Sequence, residues 1–212
     1  RDGQRAIPLL ANSLASDVME ERQLAARALA IVPDKAAGTA LVEALRQVMD
    51  QRYPADSRLD VVEAAKKRRE PEVAALVVKL FGSRAADDPL ALFADSLEGG
   101  NAAVGRVIFF ERTQVSCVRC HKIEGQGGDV GPDLTRISPD KTRKYLLEAV
   151  VVPNRAIAKN FETALVITDD GKVVSGIVKE EDAESLRLMT AEGKLVRILK
   201  SSIEERREGK SA

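Results

Sequence analysis

The two cysteines and the one histidine of this chain fall within five consecutive residues, Cys117-Val118-Arg119-Cys120-His121. Cysteines three apart project from one side of a helical turn. Thiols so placed can each add to one of the two vinyl groups of a haem, giving two thioethers. The residue after the second cysteine then sits under the iron, and a histidine there offers an imidazole nitrogen as axial ligand. Three other chemistries use the same residue types. Zinc usually takes four ligands, and here there are three, two of them adjacent. A thioredoxin-like dithiol needs a strand before the motif and a helix opening at it. The third is a structural disulfide with a bystander histidine.

The elements around the motif can be read from periodicity. Asn101 can cap a helix running to about Arg112, with Gly105 and Phe109 one turn apart on it. The Gly-rich stretch Gly125 to Asp133 follows the motif. A second helix is predicted with Ser138 as N-cap and Pro139 at its first position, its apolar face made by Tyr145, Leu146, Leu147, Ala149 and Val150. After Phe161 the period becomes two. Thr163 to Thr168 and Val173 to Val178 alternate around the turn Asp169-Asp170-Gly171. Leu186 to Leu188 and Leu195 to Leu199 make a second hairpin around Ala191 to Lys194. This predicts about four antiparallel strands between 162 and 203, with Glu204 to Ala212 a fraying charged tail.

The N-terminal part has a different pattern. Apolar residues recur at helical spacing at Ile7, Leu9, Leu10 and Leu14, then at Leu24, Ala25, Ala28 and Leu29, and then at Leu41, Val42, Ala44 and Leu45. Two more stripes are Leu59, Val61, Val62, Ala64 and Ala65, and Val73, Leu76, Val77 and Leu80. Breaks fall at Pro33, Pro54 and Pro71. The segment Arg22 to Leu29 has an echo at Arg58 to Ala65, about 36 residues on, a period that suggests stacked helix pairs. With Asp17 in the turn and Arg22 opening the second helix, the first pair resembles a HEAT repeat. The predicted organisation is 1–82 helical repeats, 83–99 a linker with a short helix from Leu90 to Ser96, and 100–212 a domain built around the cysteine motif. The fold class is mainly α with a small β part.

The second domain resembles class I cytochrome c in its helix with Gly105 and Phe109, its CxxCH, and Gly131-Pro132-Asp133-Leu134. More closely it resembles the Pirellula/Verrucomicrobium-type haem-binding domain. The matching stretches are Cys117 to His121, Gly127 to Thr135, Lys144 to Glu148, Val152-Pro153-Asn154, and Phe161-Glu162-Thr163 leading into the strands. The resemblance implies one covalent haem c on Cys117 and Cys120, with His121 on the iron. It makes Pro132 the residue whose carbonyl accepts a hydrogen bond from the proximal histidine. Gly105 would permit close helix packing, Phe109 would pack near the porphyrin edge, and Arg136 could meet a propionate. The family takes its distal Met from a Met-Pro segment after the strands, followed by a closing helix, and neither occurs before Ala212. Met189, the only Met after the motif, lies inside a predicted strand. It reads either as a residue on the sheet's own core or as a distal ligand.

Composition bounds the partners. Thirty-three basic residues balance thirty-three acidic ones, which gives no long-range reason to expect nucleic acid or an anionic membrane. No apolar run approaches the roughly 20 residues of a bilayer span. The expected function is electron transfer to or from a redox protein or a dehydrogenase-like domain, with a possible dimer, in a bacterial periplasm or outside the cell. The alternative is a helical-repeat interaction scaffold whose haem is structural or senses a ligand. An enzymatic role is left open, and with His121 the single histidine, a peroxidase-like distal histidine is excluded within this chain.

Overall fold

The computed structural model describes residues 2–209. The chain divides into two compact units, one ending at Asn101 and the other starting at Ala102.

The first unit contains five helices: α1 (Asp2–Ser13), α2 (Met19–Ile31), α3 (Lys35–Met49), α4 (Arg58–Lys66) and α5 (Pro71–Gly82). The predicted breaks hold, with Pro71 opening α5 as its first residue and Asp34 capping α3 through Ala36 N. The core lies between alternate helices, α2 with α4 and α3 with α5, as well as between consecutive ones, and includes Leu29, Leu41, Leu45, Val61, Val62 and Val73. One predicted stripe is placed differently: Leu24 is 66% exposed while Leu29 is fully buried. The face of α2 turned inward carries Arg22, Gln23, Ala25, Ala26, Leu29 and Ala30. Two polar residues on it displace the leucine because the buried network of Arg22 needs that side of the helix. Arg22, 4% exposed, donates to Ser16 O (2.6 Å), Ser57 Oγ (3.0 Å) and Asp56 Oδ1 (2.7 Å). Arg58, at the matching place on α4, donates to Tyr53 O and Gln51 O. Each arginine thus satisfies carbonyls of the turn before its helix.

The stretch expected to be a linker, 83–99, packs as part of this unit. It forms a 3₁₀ turn over Ala91–Leu97, buries Leu90, and is tied down by Arg84, which bonds Ala91 O, Leu92 O and Asp95. A polar, proline-containing composition reads as a linker, and these bonds are what make it a folded strap.

The second unit begins with α6 (Ala102–Glu111), followed by α7 (Cys117–Cys120), β1 (Lys122–Ile123), β2 (Gln126–Gly127), α8 (Ile137–Asp140) and α9 (Arg143–Val151). The helix start expected at Ser138 is instead the single turn of α8. The real N-cap of α9 is Thr142, whose side chain accepts from Tyr145 N. Then come β3 (Thr163–Thr168), β4 (Val173–Glu181), β5 (Ser185–Met189), β6 (Leu195–Leu199) and β7 (Ile203–Glu208). They form one antiparallel sheet in the order β6-β5-β4-β3-β7. Both predicted hairpins form, and a fifth strand adds to them. β7 lies where a fraying tail was expected and pairs with β3, Val166 facing Arg206. Its Arg206 meets Glu181, which also pairs with Lys200. An edge strand needs only one apolar face, and charged side chains suit the other. Lys210 to Ala212 lie outside the described residues. The sheet core is Ala164, Val166, Val174, Leu186, Leu188 and Ile198.

Candidate haem-attachment site

A turn joins α6 to the motif through hydrogen bonds from Val115 N and Ser116 N to Arg112 O. Ser116 adopts the left-handed conformation (φ 49°) at the N-cap of α7, a conformation that costs a non-glycine residue and sharply redirects the chain. α7 is a single turn closed by His121 N to Cys117 O at 3.0 Å. Cys117 and Cys120 therefore project from the same side, as half-buried free thiols. His121 then leaves the helix in an extended conformation (φ −106°, ψ 149°).

The loop after the motif folds back over it. Lys122–Ile123 pairs with Gln126–Gly127 around Glu124 and Gly125, both at positive φ, the pattern of a tight two-residue hairpin turn. Gly128 N donates to Val118 O at 2.9 Å and Gly131 N to Cys120 O at 2.7 Å. Two glycines make this approach possible. A Cβ on Gly128 would run into Arg119 O, and a Cβ on Gly131 would stand 2.7 Å from His121 Cε1 and 2.8 Å from its Nδ1. The backbone at Gly131 thus lies flat against the imidazole ring. His121 Nδ1 is 2.9 Å from Pro132 O. A carbonyl can only accept, so Nδ1 carries the proton and Nε2 keeps its lone pair. Asp133 and Thr135 complete the loop. Thr135 Oγ1 accepts from Glu124 N at 2.8 Å, and Asp133 Oδ1 accepts from Thr135 N at 2.8 Å. The hydrogen bonds from Thr135 hold the exposed Asp133 carboxyl below the usual carboxylate range.

This donor set fits a haem. Two thiols share one side of a turn, and the adjoining imidazole has its free nitrogen fixed by the bond at the other. The surrounding helices carry uncovered apolar side chains, Val104, Val107 and Ile108 on α6 and Val115 after it. From 102 to 162, Val130 is the one apolar side chain among the described residues that is buried. The three motif residues are not arranged as a metal site by themselves: among the described residues, no group of three or more His, Cys, Asp or Glu could hold a metal ion.

Residues 102–186 match the family model for cytochrome c. This stretch is a cytochrome c-like haem-binding domain, and its cofactor is covalently attached haem c. No curated protein matches the chain. The match starts at the first residue of α6 and ends inside β5, so it takes in the motif, the returning loop and the first half of the sheet.

The other residues singled out in the sequence are placed as follows. Phe109 is half-buried and packs edge-on against Phe110, ring centroids 4.8 Å apart. A Cβ on Gly105 would meet nothing within 4 Å, so the close helix packing expected there has no partner among the described residues. Arg136 is exposed and lies between the loop and α8. Met189 is the last residue of β5, paired with Ile177 and Leu195. Leu186 and Leu188 point into the sheet core, so Met189, one residue on, points to the other face. Packing on the sheet's own core is thereby corrected. Ile177 on that second face is also buried yet outside the sheet's core cluster. Nothing in the alternation of β4 distinguishes a partly covered second face, because Ile177 alternates like any strand residue.

Proposed function

We propose that the second unit is an electron-carrying c-type cytochrome domain. Cys117 and Cys120 hold the haem by two thioethers, His121 ligates iron through Nε2, and Pro132 O orients the imidazole. Haem supplies a one-electron couple when bound. The protein's contribution is to set its potential through axial ligation, hydrogen bonding to the ligand, and burial. The observation that carries the reading is the His121 Nδ1 to Pro132 O bond of 2.9 Å beside a turn with two free thiols. That arrangement leaves one imidazole nitrogen available and raises its basicity. The distal position is open or weakly held.

The first unit is the docking element, a HEAT-like stack for a redox protein or a dehydrogenase-like domain. Support comes from the repeated device in which Arg22 and Arg58 each bind the preceding turn. Thioether attachment of haem takes place outside the bacterial cytoplasm, so the protein works in the periplasm or beyond. Among the described residues no helix is long and apolar enough to cross a membrane.

The test is a spectroelectrochemical titration of the matured protein. A single reversible one-electron transition is expected. Haem that remains covalently bound but shows no reversible midpoint would favour the scaffold with a structural haem.

A further inference from the structure

The sheet of the second unit has two edges, β6 and β7, and they are built differently. β7 is charged at five of its six positions, Glu204 to Glu208, and its ladder with β3 shifts register between Ile167 and Thr168. Charge and an irregular ladder both discourage another strand from joining. β6 is Leu195-Val196-Arg197-Ile198-Leu199, with a single charge, and it pairs with β5 along its whole length without a shift. Thr190 N bonds to Lys194 O at one end of this hairpin (2.9 Å) and Lys200 N to Glu184 O at the other (2.8 Å). These two bonds fix the phase of the ladder, so that Val196 and Ile198 turn their backbone groups toward β5. Leu195, Arg197 and Leu199 therefore turn theirs outward, and among the described residues no other strand pairs with β6. One outward group is used locally: Leu199 O accepts from Ser202 Oγ at 2.9 Å. The side chains of the same three residues leave on the face opposite Ile198, and Leu195 and Leu199 are each 50% exposed.

Between the two leucines stands Arg197, whose register partner on β5 is Arg187. Like charges directly opposite are destabilising. Arg187 is answered by Glu180 at 2.8 Å, whereas the exposed Arg197 makes no ion pair among the described residues. Asp182, an acid that senses its charge, is held below the ordinary carboxylate range first by bonds from Glu184 N and Ser185 N (2.8 and 2.7 Å) and last by Arg197. We propose that the β6 edge is a docking site for an extended protein segment, which adds a strand to the sheet with an acidic residue opposite Arg197 and apolar residues opposite Leu195 and Leu199. Main-chain hydrogen bonds to the outward groups supply the affinity, and alternate side chains select the segment. The same arginine rejects a second copy of this chain. An antiparallel two-fold pair that used all three outward residues would set two Arg197 side chains opposite each other, a like-charge clash. One residue thus selects for an acidic strand and against self-pairing.

The test is amide hydrogen exchange, read residue by residue on the full chain, with and without a capped peptide whose central run is Val-Thr-Glu-Thr-Val. Without peptide, the amides of Leu195, Arg197 and Leu199 should exchange fast and those of Val196 and Ile198 slowly. Saturating peptide should slow the three outward amides and leave those of β7 as they were. A peptide with Lys in place of the central Glu should bind about tenfold more weakly, since an attractive cross-strand pair becomes a repulsive one. In Arg197→Glu the order of the two peptides should reverse. That side chain is exposed and has no ion pair to lose, so the variant keeps the sheet intact. A parent chain whose three outward amides stay unprotected at saturating peptide, or which binds the two peptides equally, overturns the proposal. So does a parent chain that sediments as a dimer with these amides already protected, because a second copy then occupies the edge.

Discussion

Pro132 O lies 2.9 Å from His121 Nδ1, and the two residues are brought together by a loop that returns over the motif through Gly131. This one bond decides the protonation of the ring, and so which nitrogen is left for a metal. Substituting Gly131 by Ala should push the ring away, because the new Cβ would arrive 2.7 Å from Cε1. The expected outcome is a protein that still attaches haem but has a shifted visible spectrum and a weakened proximal ligand. Optical titration with an added imidazole will read this as faster and tighter capture by the variant. Equal behaviour of variant and parent would mean that the ring has room the distances deny.

Attachment is tested on the thiols. Both cysteines are free and on one side of α7. Haem held by two thioethers should stay with the polypeptide in acid acetone and through a denaturing gel. Replacing Cys117 and Cys120 together by Ala should release it, and either single change should leave one thioether and a slightly red-shifted spectrum.

The helical unit offers a contrast between two leucines. Leu45 is fully buried in the core, so Leu45→Asp leaves an unpaired charge there and should cost several kcal/mol, on the order of 3–5. Leu24 belongs to the same kind of stripe in the sequence but is exposed. Leu24→Asp should change stability by well under about 1 kcal/mol. Urea unfolding followed by circular dichroism separates the two, and equal losses would place Leu24 inside.

That contrast shows where the sequence stops being informative. The helix boundaries of the first unit, both hairpins and the CxxCH turn follow from period, proline and turn residues, which are local signals, whereas Ser138-Pro139 misplaces the start of α9, whose cap is Thr142. Three features do not. Leu24 gives way to Arg22 and Gln23 because a hydrogen-bond network spanning 34 or 35 residues claims that face. β7 is a charged run whose strand character comes only from pairing with β3. The strap over 83–99 is folded by Arg84, whose partners lie 7 to 11 residues away. The first two depend on partners distant in sequence, beyond any local window; the strap depends on side-chain bonds to nearby carbonyls, which leave no periodic pattern in the sequence. The candidate haem site is the reverse case, since the residues proposed to hold the haem and the proline beside them lie within 16 residues, Cys117 to Pro132.

The Arg22 network should give the first unit a pH signature. Burial pushes the Asp56 carboxyl up, but hydrogen bonds from Arg22 and Ser57 outweigh it and hold the group below the ordinary carboxylate range. A folded-state value below the unfolded one contributes stability that is present above the unfolded value, about pH 4, and lost as pH falls through the folded value. Acid should therefore destabilise the unit more steeply in the parent than in Arg22→Met. The same variant should be less stable at neutral pH by about 2 kcal/mol, less than for a fully buried pair because Asp56 is part exposed. Identical slopes in the two proteins would remove Asp56 from the account.

The proposal of an open distal side turns on the direction of one strand residue. Met189 ends β5 and points away from Leu186 and Leu188, toward the face it shares with Ile177. Its side chain stands perpendicular to the sheet and is held by pairing on both sides, to Ile177 and to Leu195. A Cβ built on Gly193, in the β5–β6 turn, would lie 3.9 Å from Val130 Cγ2, in the loop that supplies Pro132 O to His121. We expect that Met189, fixed in a strand paired on both sides, is not a ligand of the iron. The ferrous protein should therefore bind carbon monoxide readily. Met189→Leu should leave the ferric spectrum and the midpoint potential unchanged, since a thioether sulfur on the iron would otherwise raise the potential and be missed on removal. A spectrum that changes in Met189→Leu, together with a parent protein that refuses carbon monoxide, would show that the strand does release this residue to the iron.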